Sequence, residues 1–100
     1  MPKPLACDMT AIGAADRPLH HQLTRELVAA ATIQPIEGGY QFELPAEAFD
    51  RVARFVSKER LCCPFLDFRI ELSADREVVR LTLTGPSGAS DFIRAELHLP

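Results

Sequence analysis

Two runs of strict alternation constrain this chain more than any other feature. Leu66, Phe68, Ile70 and Leu72 alternate with Asp67, Arg69, Glu71 and Ser73, and Val79, Leu81 and Leu83 alternate with Arg80, Thr82 and Thr84. A period of two sends every apolar side chain of a strand to one face and leaves the other face wet. The intervening Ala74-Asp75-Arg76-Glu77 predicts a hairpin connection, so the two strands should pair antiparallel. A sheet with one apolar face needs that face covered. Helices on one face satisfy this, which predicts an α+β two-layer sandwich.

The rest of the chain supplies candidates for both layers. Tyr40, Phe42 and Leu44 alternate with Gln41 and Glu43 as a third half-buried strand, and Leu5 to Thr10 reads as a short strand with Leu5, Cys7 and Met9 on one face. Asp16 to Thr32 reads as a helix, with Asp16 as cap, Pro18 in the first turn, and Leu19, Leu23, Leu27, Ala30 and Ala31 on one arc. His20 falls at the edge of that arc and His21 on the wet side. Pro35 and the Gly38-Gly39 pair mark Gln34 to Gly39 as a turn. A second helix runs from Pro45 to about Cys62, with Phe49, Val52, Ala53 and Val56 toward the core. Pro64 disfavours helix at Cys63 and should end it. Arg60 is odd, because its helical angle points toward that same core face. After Gly85-Pro86-Ser87-Gly88, Ser87 or Ser90 can cap a last short helix with Phe92, Ile93 and Leu97 inward. The expected order is βαβαββα, with a mostly antiparallel sheet of three to four strands.

One hundred residues read as one domain spanning 1–100, with the proline-flanked residues 1–4 frayed. A chain of this size buries about 65% of its unfolded surface, enough for one core. With 47% hydrophobic and 25% charged residues it is too apolar for a disordered tail. It has no 18-residue apolar run that would predict a membrane span. The formal charge of −3 argues against a nucleic-acid partner, because such binding is mostly phosphate neutralisation. The first residues carry no apolar signal region, so a cytoplasmic location with reduced thiols is expected.

The chemistry lies in three cysteines, Cys7, Cys62 and Cys63. An odd count suits no disulfide framework, and a bridge between neighbours would be strained. Cys62 and Cys63 sit where the second helix must stop, and element ends are where functional groups reach solvent. The helix C-terminus opposes a thiolate, which counts against a nucleophilic enzyme. A soft metal is less affected, because coordination itself deprotonates the thiol. Thiolates select Cu(I) and Zn(II) over hard cations, and the same softness extends to Hg(II) and As(III). Adding His20 would give a Cys₃His zinc set, although there is no C-x-x-C spacing and the aliphatic company of His20 favours a plain helix-edge residue. Small buried hydrophobes are the competing reading of the cysteines. Glu59 and Arg60 read as a local charge pair or as contacts of the cap region. Phe65, out of phase with its strand, should face the other side of the sheet.

The blocks Glu59-Arg60-Leu61-Cys62-Cys63-Pro64-Phe65-Leu66-Asp67-Phe68, Leu81-Thr82-Leu83-Thr84-Gly85-Pro86-Ser87-Gly88 and Phe92-Ile93 resemble a group of small bacterial proteins. These share an E-R-x-C-C-P-F-x-x-F block and a later L-x-L-T-G-P-x-G block. Leu5-Ala6-Cys7-Asp8-Met9-Thr10 also resembles their start. The group is associated with heavy-metal-responsive regulators of the mercury-resistance type. The resemblance implies that Cys7, Cys62 and Cys63 belong to one site, and it implies no reaction. Nothing in the sequence matches a helix-turn-helix reader, so the chain is expected to be an accessory rather than the regulator.

Three functions follow as expectations. The leading one is a soft-metal or metalloid binder using Cys7, Cys62 and Cys63, with a regulator protein or a second copy as partner. A noncatalytic dimerisation module, with Phe65 and Val78 on its surface, is the second. The third is a thiol enzyme for redox exchange or organometal cleavage, which would need two thiolates and an acid such as Asp67. The leading reading requires Leu5–Thr10 to lie beside the end of the second helix, with Cys7 pointing at Cys62 or Cys63.

Overall fold

The computed structural model describes residues 5–75 and 77–100, so the expectation for residues 1–4 and the part played by Arg76 in its hairpin lie outside the described residues. The elements are α1 (Arg17–Ala30), β1 (Thr32–Ile36), β2 (Gly39–Pro45), α2 (Phe49–Cys62), β3 (Asp67–Leu72), β4 (Val78–Thr84) and α3 (Ala89–Glu96). Short 3₁₀ turns at Met9–Ala11 and Ala46–Ala48 precede α1 and α2. The four strands form one antiparallel sheet in the order β1-β2-β4-β3. Two hairpins are therefore joined through their second strands, which become the centre of the sheet.

The two alternating runs pair as expected, with Asp67 opposite Thr84 and Leu72 opposite Val79. Phe42, Leu44, Val79, Leu81 and Leu83 form the buried rows of β2 and β4, and they pack with Leu23 and Leu27 of α1, Val52 and Phe55 of α2, and Ile93 of α3. Asp67, Arg69 and Glu71 on the alternate positions of β3 are exposed. This is the α+β arrangement that one-sided strands require.

The first strand is where the expected order fails. Residues 5–8 form no strand, and Met9–Ala11 is a 3₁₀ turn. The fourth strand is instead β1, placed where Pro35 and the glycines suggest only a turn, so the order is αββαββα. Ile33 and Ile36 are half-buried three positions apart, so β1 carries no period-two signal. Pro35 is tolerated because β1 is an edge strand, where a missing N–H costs no ladder bond. Gly38, with φ of +79°, makes the tight return to β2.

The helices keep roughly the expected limits, but two are rotated. On α1 the buried face is His20, Leu23 and Leu27, and Leu19 is 65% exposed. On α2 the buried face is Val52, Phe55, Glu59 and Cys62, about a quarter turn from the expected one at 100° per residue. That rotation accounts together for the exposure of Phe49 and Arg60 and the burial of Glu59. The buried face includes a charged residue, Glu59, so its centre does not coincide with the arc of apolar residues alone. Leu72 is exposed at the end of edge strand β3, and α3 is capped by Gly88 at φ +93° rather than by a serine side chain. Phe65 does not cross the sheet. The turn closed by Leu66 N–H on Cys63 O carries it to α3, where it meets Phe92 edge-on at 4.9 Å between ring centroids.

Candidate metal centre

Pro64, two residues after Cys62, ends α2, and Cys63 takes the cap position at φ −125°, ψ 65°, with its N–H donating to Glu59 O at 2.8 Å. This leaves both thiols at the last turn, and both residues are 0% exposed. The N-terminal segment passes over the same helix end, where Asp8 N–H donates to Cys62 O at 2.9 Å. The Asp8 carboxylate accepts from Thr10 N–H at 3.0 Å, and Arg17 Nε donates to Met9 O and Ile12 O at 2.9 and 3.0 Å. The segment is thus fastened at both ends of its turn, and Cys7 is held above the helix end as the leading reading requires, although not from a strand.

The three sulfurs of Cys7, Cys62 and Cys63 all lie within 4.8 Å of one another. Cys62 and Cys63 are 3.7 Å apart, and Cys7 also reaches Met9 Sδ at 3.5 Å. His20 does not complete a four-residue set. It joins a second group with Glu59 and Cys62, whose ligand atoms also lie within 4.8 Å of one another. His20 Nε2 and Glu59 Oε1 share a hydrogen bond at 2.9 Å, and the Cys62 thiol donates to the same oxygen at 3.3 Å. The His20 ring lies nearly parallel to Phe55, with centroids 5.5 Å apart. Glu59 is the functional candidate that sequence reasoning missed. The available signal was its position four after Phe55 and three before Cys62 on one face. Asp67, the acid suggested for a cleavage reaction, is exposed on β3.

The thiols are not equivalent. A hydrogen bond from the Cys63 thiol holds Cys62 below the ordinary thiol range, against burial and the nearby Glu59. Burial, then the hydrogen bond to Cys62, pushes Cys7 up, and the bond to Cys62 followed by burial pushes Cys63 up. Of the three, Cys62 is the thiol that loses its proton most readily. The basic residues near the motif do not explain this: Lys58 reaches Asp16 at 3.4 Å, and Arg54, Arg60 and Arg69 are exposed.

A stability profile follows from these directions. Cys7 and Cys63 keep their protons in the fold when the unfolded chain loses them, above about pH 9. Their contribution is complete below that pH and is lost as pH rises beyond it. Cys62 has the opposite sign, adding stability as pH rises toward 9. Urea midpoints should therefore fall between pH 9 and 10.5, and the fall should shrink in a Cys7→Ser, Cys63→Ser protein.

No helix among the described residues is long and apolar enough to cross a membrane. No family model, curated protein or solved structure matches this chain.

Proposed function

We propose that the chain binds a soft metal or metalloid ion through Cys7, Cys62 and Cys63, as a cytoplasmic accessory to a metal-responsive partner. The observation that carries this reading is the sulfur spacing. Metal–sulfur bonds of about 2.3 Å demand sulfurs roughly 3.8–4.0 Å apart in tetrahedral or trigonal geometry. Cys62 and Cys63 already stand at 3.7 Å, and Cys7 lies within 4.8 Å of both. A cluster that close needs only side-chain adjustment. All-sulfur donors favour Hg(II), As(III) and Cu(I), with Zn(II) as the borderline member.

Arsenite gives the sharpest test because its valence matches three thiols. Its three As–O bonds exchange for three As–S bonds, and the thiol protons leave with the hydroxides as water. The wild type is expected to bind one arsenite per chain at micromolar affinity or better, about −8 kcal/mol. Reactive thiols should fall from three to none as it binds. A protein with all three cysteines changed to serine should bind none. Equal binding by both proteins would place the site elsewhere.

A further inference from the structure

We propose that His20, Glu59 and Cys62 form a second metal position, for a borderline cation of the zinc type, sharing the Cys62 sulfur with the three-thiol position. Apart from that sulfur it is independent of the reading above.

The first argument is geometric. A tetrahedral zinc with nitrogen and oxygen at about 2.0–2.1 Å spaces those two ligands by about 3.3 Å, and spaces sulfur from oxygen by about 3.5 Å. His20 Nε2 and Glu59 Oε1 are 2.9 Å apart, and Cys62 Sγ and Glu59 Oε1 are 3.3 Å apart. These two spacings need open by only a few tenths of an ångström, and the His20 and Cys62 ligand atoms lie within 4.8 Å of each other. The second argument is donor chemistry. One imidazole, one carboxylate and one thiolate suit zinc, whereas an all-sulfur set suits softer ions.

The third argument is orientation and access. His20 is 5% exposed, so its ring is enclosed by the fold. Histidines that ligate metals are held in orientation by their surroundings. Here Phe55 fixes the ring plane. With the ring proton on Nδ1, Nε2 is free to ligate, and a metal shared with Glu59 replaces their hydrogen bond. A groove of about 600 Å³ gives access, with His20 and Glu59 in its lining beside Met9, His21, Glu96 and His98.

Cobalt(II), a spectroscopic stand-in for zinc, tests this position in a Cys7→Ser, Cys63→Ala protein that cannot form the three-thiol set. That protein should bind one Co(II) with four-coordinate visible bands and a thiolate-to-cobalt absorption. Adding Glu59→Gln or His20→Phe should weaken binding at least tenfold. Absence of Co(II) binding by a folded double variant overturns the second position, while wild-type arsenite binding continues to judge the three-thiol reading alone. Co(II) uptake by the double variant beside a wild type that ignores arsenite would leave the second position standing and remove the first. Should Cys63→Ala fail to fold, the wild type is titrated instead. Two Co(II) per chain, falling to one in Glu59→Gln, supports the proposal, and saturation of both proteins at the same number refutes it.

Discussion

A Cys62→Ser protein should bind arsenite roughly a thousand-fold more weakly than the wild type, a loss of about 4 kcal/mol. Cys62 is the hub of the cluster. Its sulfur lies 3.7 Å from that of Cys63, and its thiol donates to Glu59. It is the thiol held below the ordinary range, whereas Cys7 and Cys63 are pushed above it. The thiolate is the attacking and ligating form, so under the proposed function the thiol that ionises most readily is expected to supply the first bond. Serine keeps the size and the hydrogen bond to Glu59, so the fold should survive and the loss should fall on binding alone. Calorimetric titration near pH 7 measures it. Binding within tenfold of the wild type would deny Cys62 that part.

Gly39→Ala should destabilise the fold by about 3 kcal/mol or more, a large share of the roughly 5–15 kcal/mol of a domain. Gly39 opens β2 opposite Thr84 of β4. A Cβ there would overlap Leu83 O and stand 2.8 Å from the Leu83 carbonyl carbon and 3.0 Å from Thr84 Cα. These are backbone atoms of a central strand, so relief requires moving β4 and the rows packed on it. The neighbouring Gly38→Ala meets only Gly85 O at 3.9 Å. It should cost nearer 1 kcal/mol, for the left-handed backbone alone. Urea unfolding of the pair measures the contrast, and equal losses would mean that β2 and β4 are less closely apposed than the structure has them.

Gly39 also marks where sequence reasoning reaches its limit. A Gly-Gly pair signals a turn, and Gly38 makes one, but nothing local says that its neighbour is squeezed against another strand. The strands β2, β3 and β4 were legible because their alternation is a local property. β1 was not, since its place at the sheet edge depends on β2 and its apolar residues do not alternate. The helix limits were legible from Asp16, Pro18 and Pro64. The rotation of α2 was not, because a buried Glu59 is identified only by its partner His20, 39 positions away. The cysteine site was half legible. Pro64 placed Cys62 and Cys63 at a helix end, but Cys7 joins them through tertiary contacts, the Asp8–Cys62 backbone bond and the Arg17 clasp. The inward face shared by Leu5, Cys7 and Met9 gave the right neighbour from the wrong element.

The burial of the cluster also bears on selectivity. Hard cations keep their water and seek oxygen ligands, whereas Cys62 and Cys63 offer soft donors in a dry setting. Cys7 is half-buried and stands beside Met9, whose thioether presents a further soft atom at the rim.

The central claim, that one ion is held by all three thiols, is tested most directly by X-ray absorption at the arsenic edge of the arsenite-loaded protein. The account predicts three sulfur neighbours at a single As–S distance and no remaining oxygen. Two sulfurs and an oxygen, in a protein whose Cys7 still reacts with thiol reagents, would contradict it.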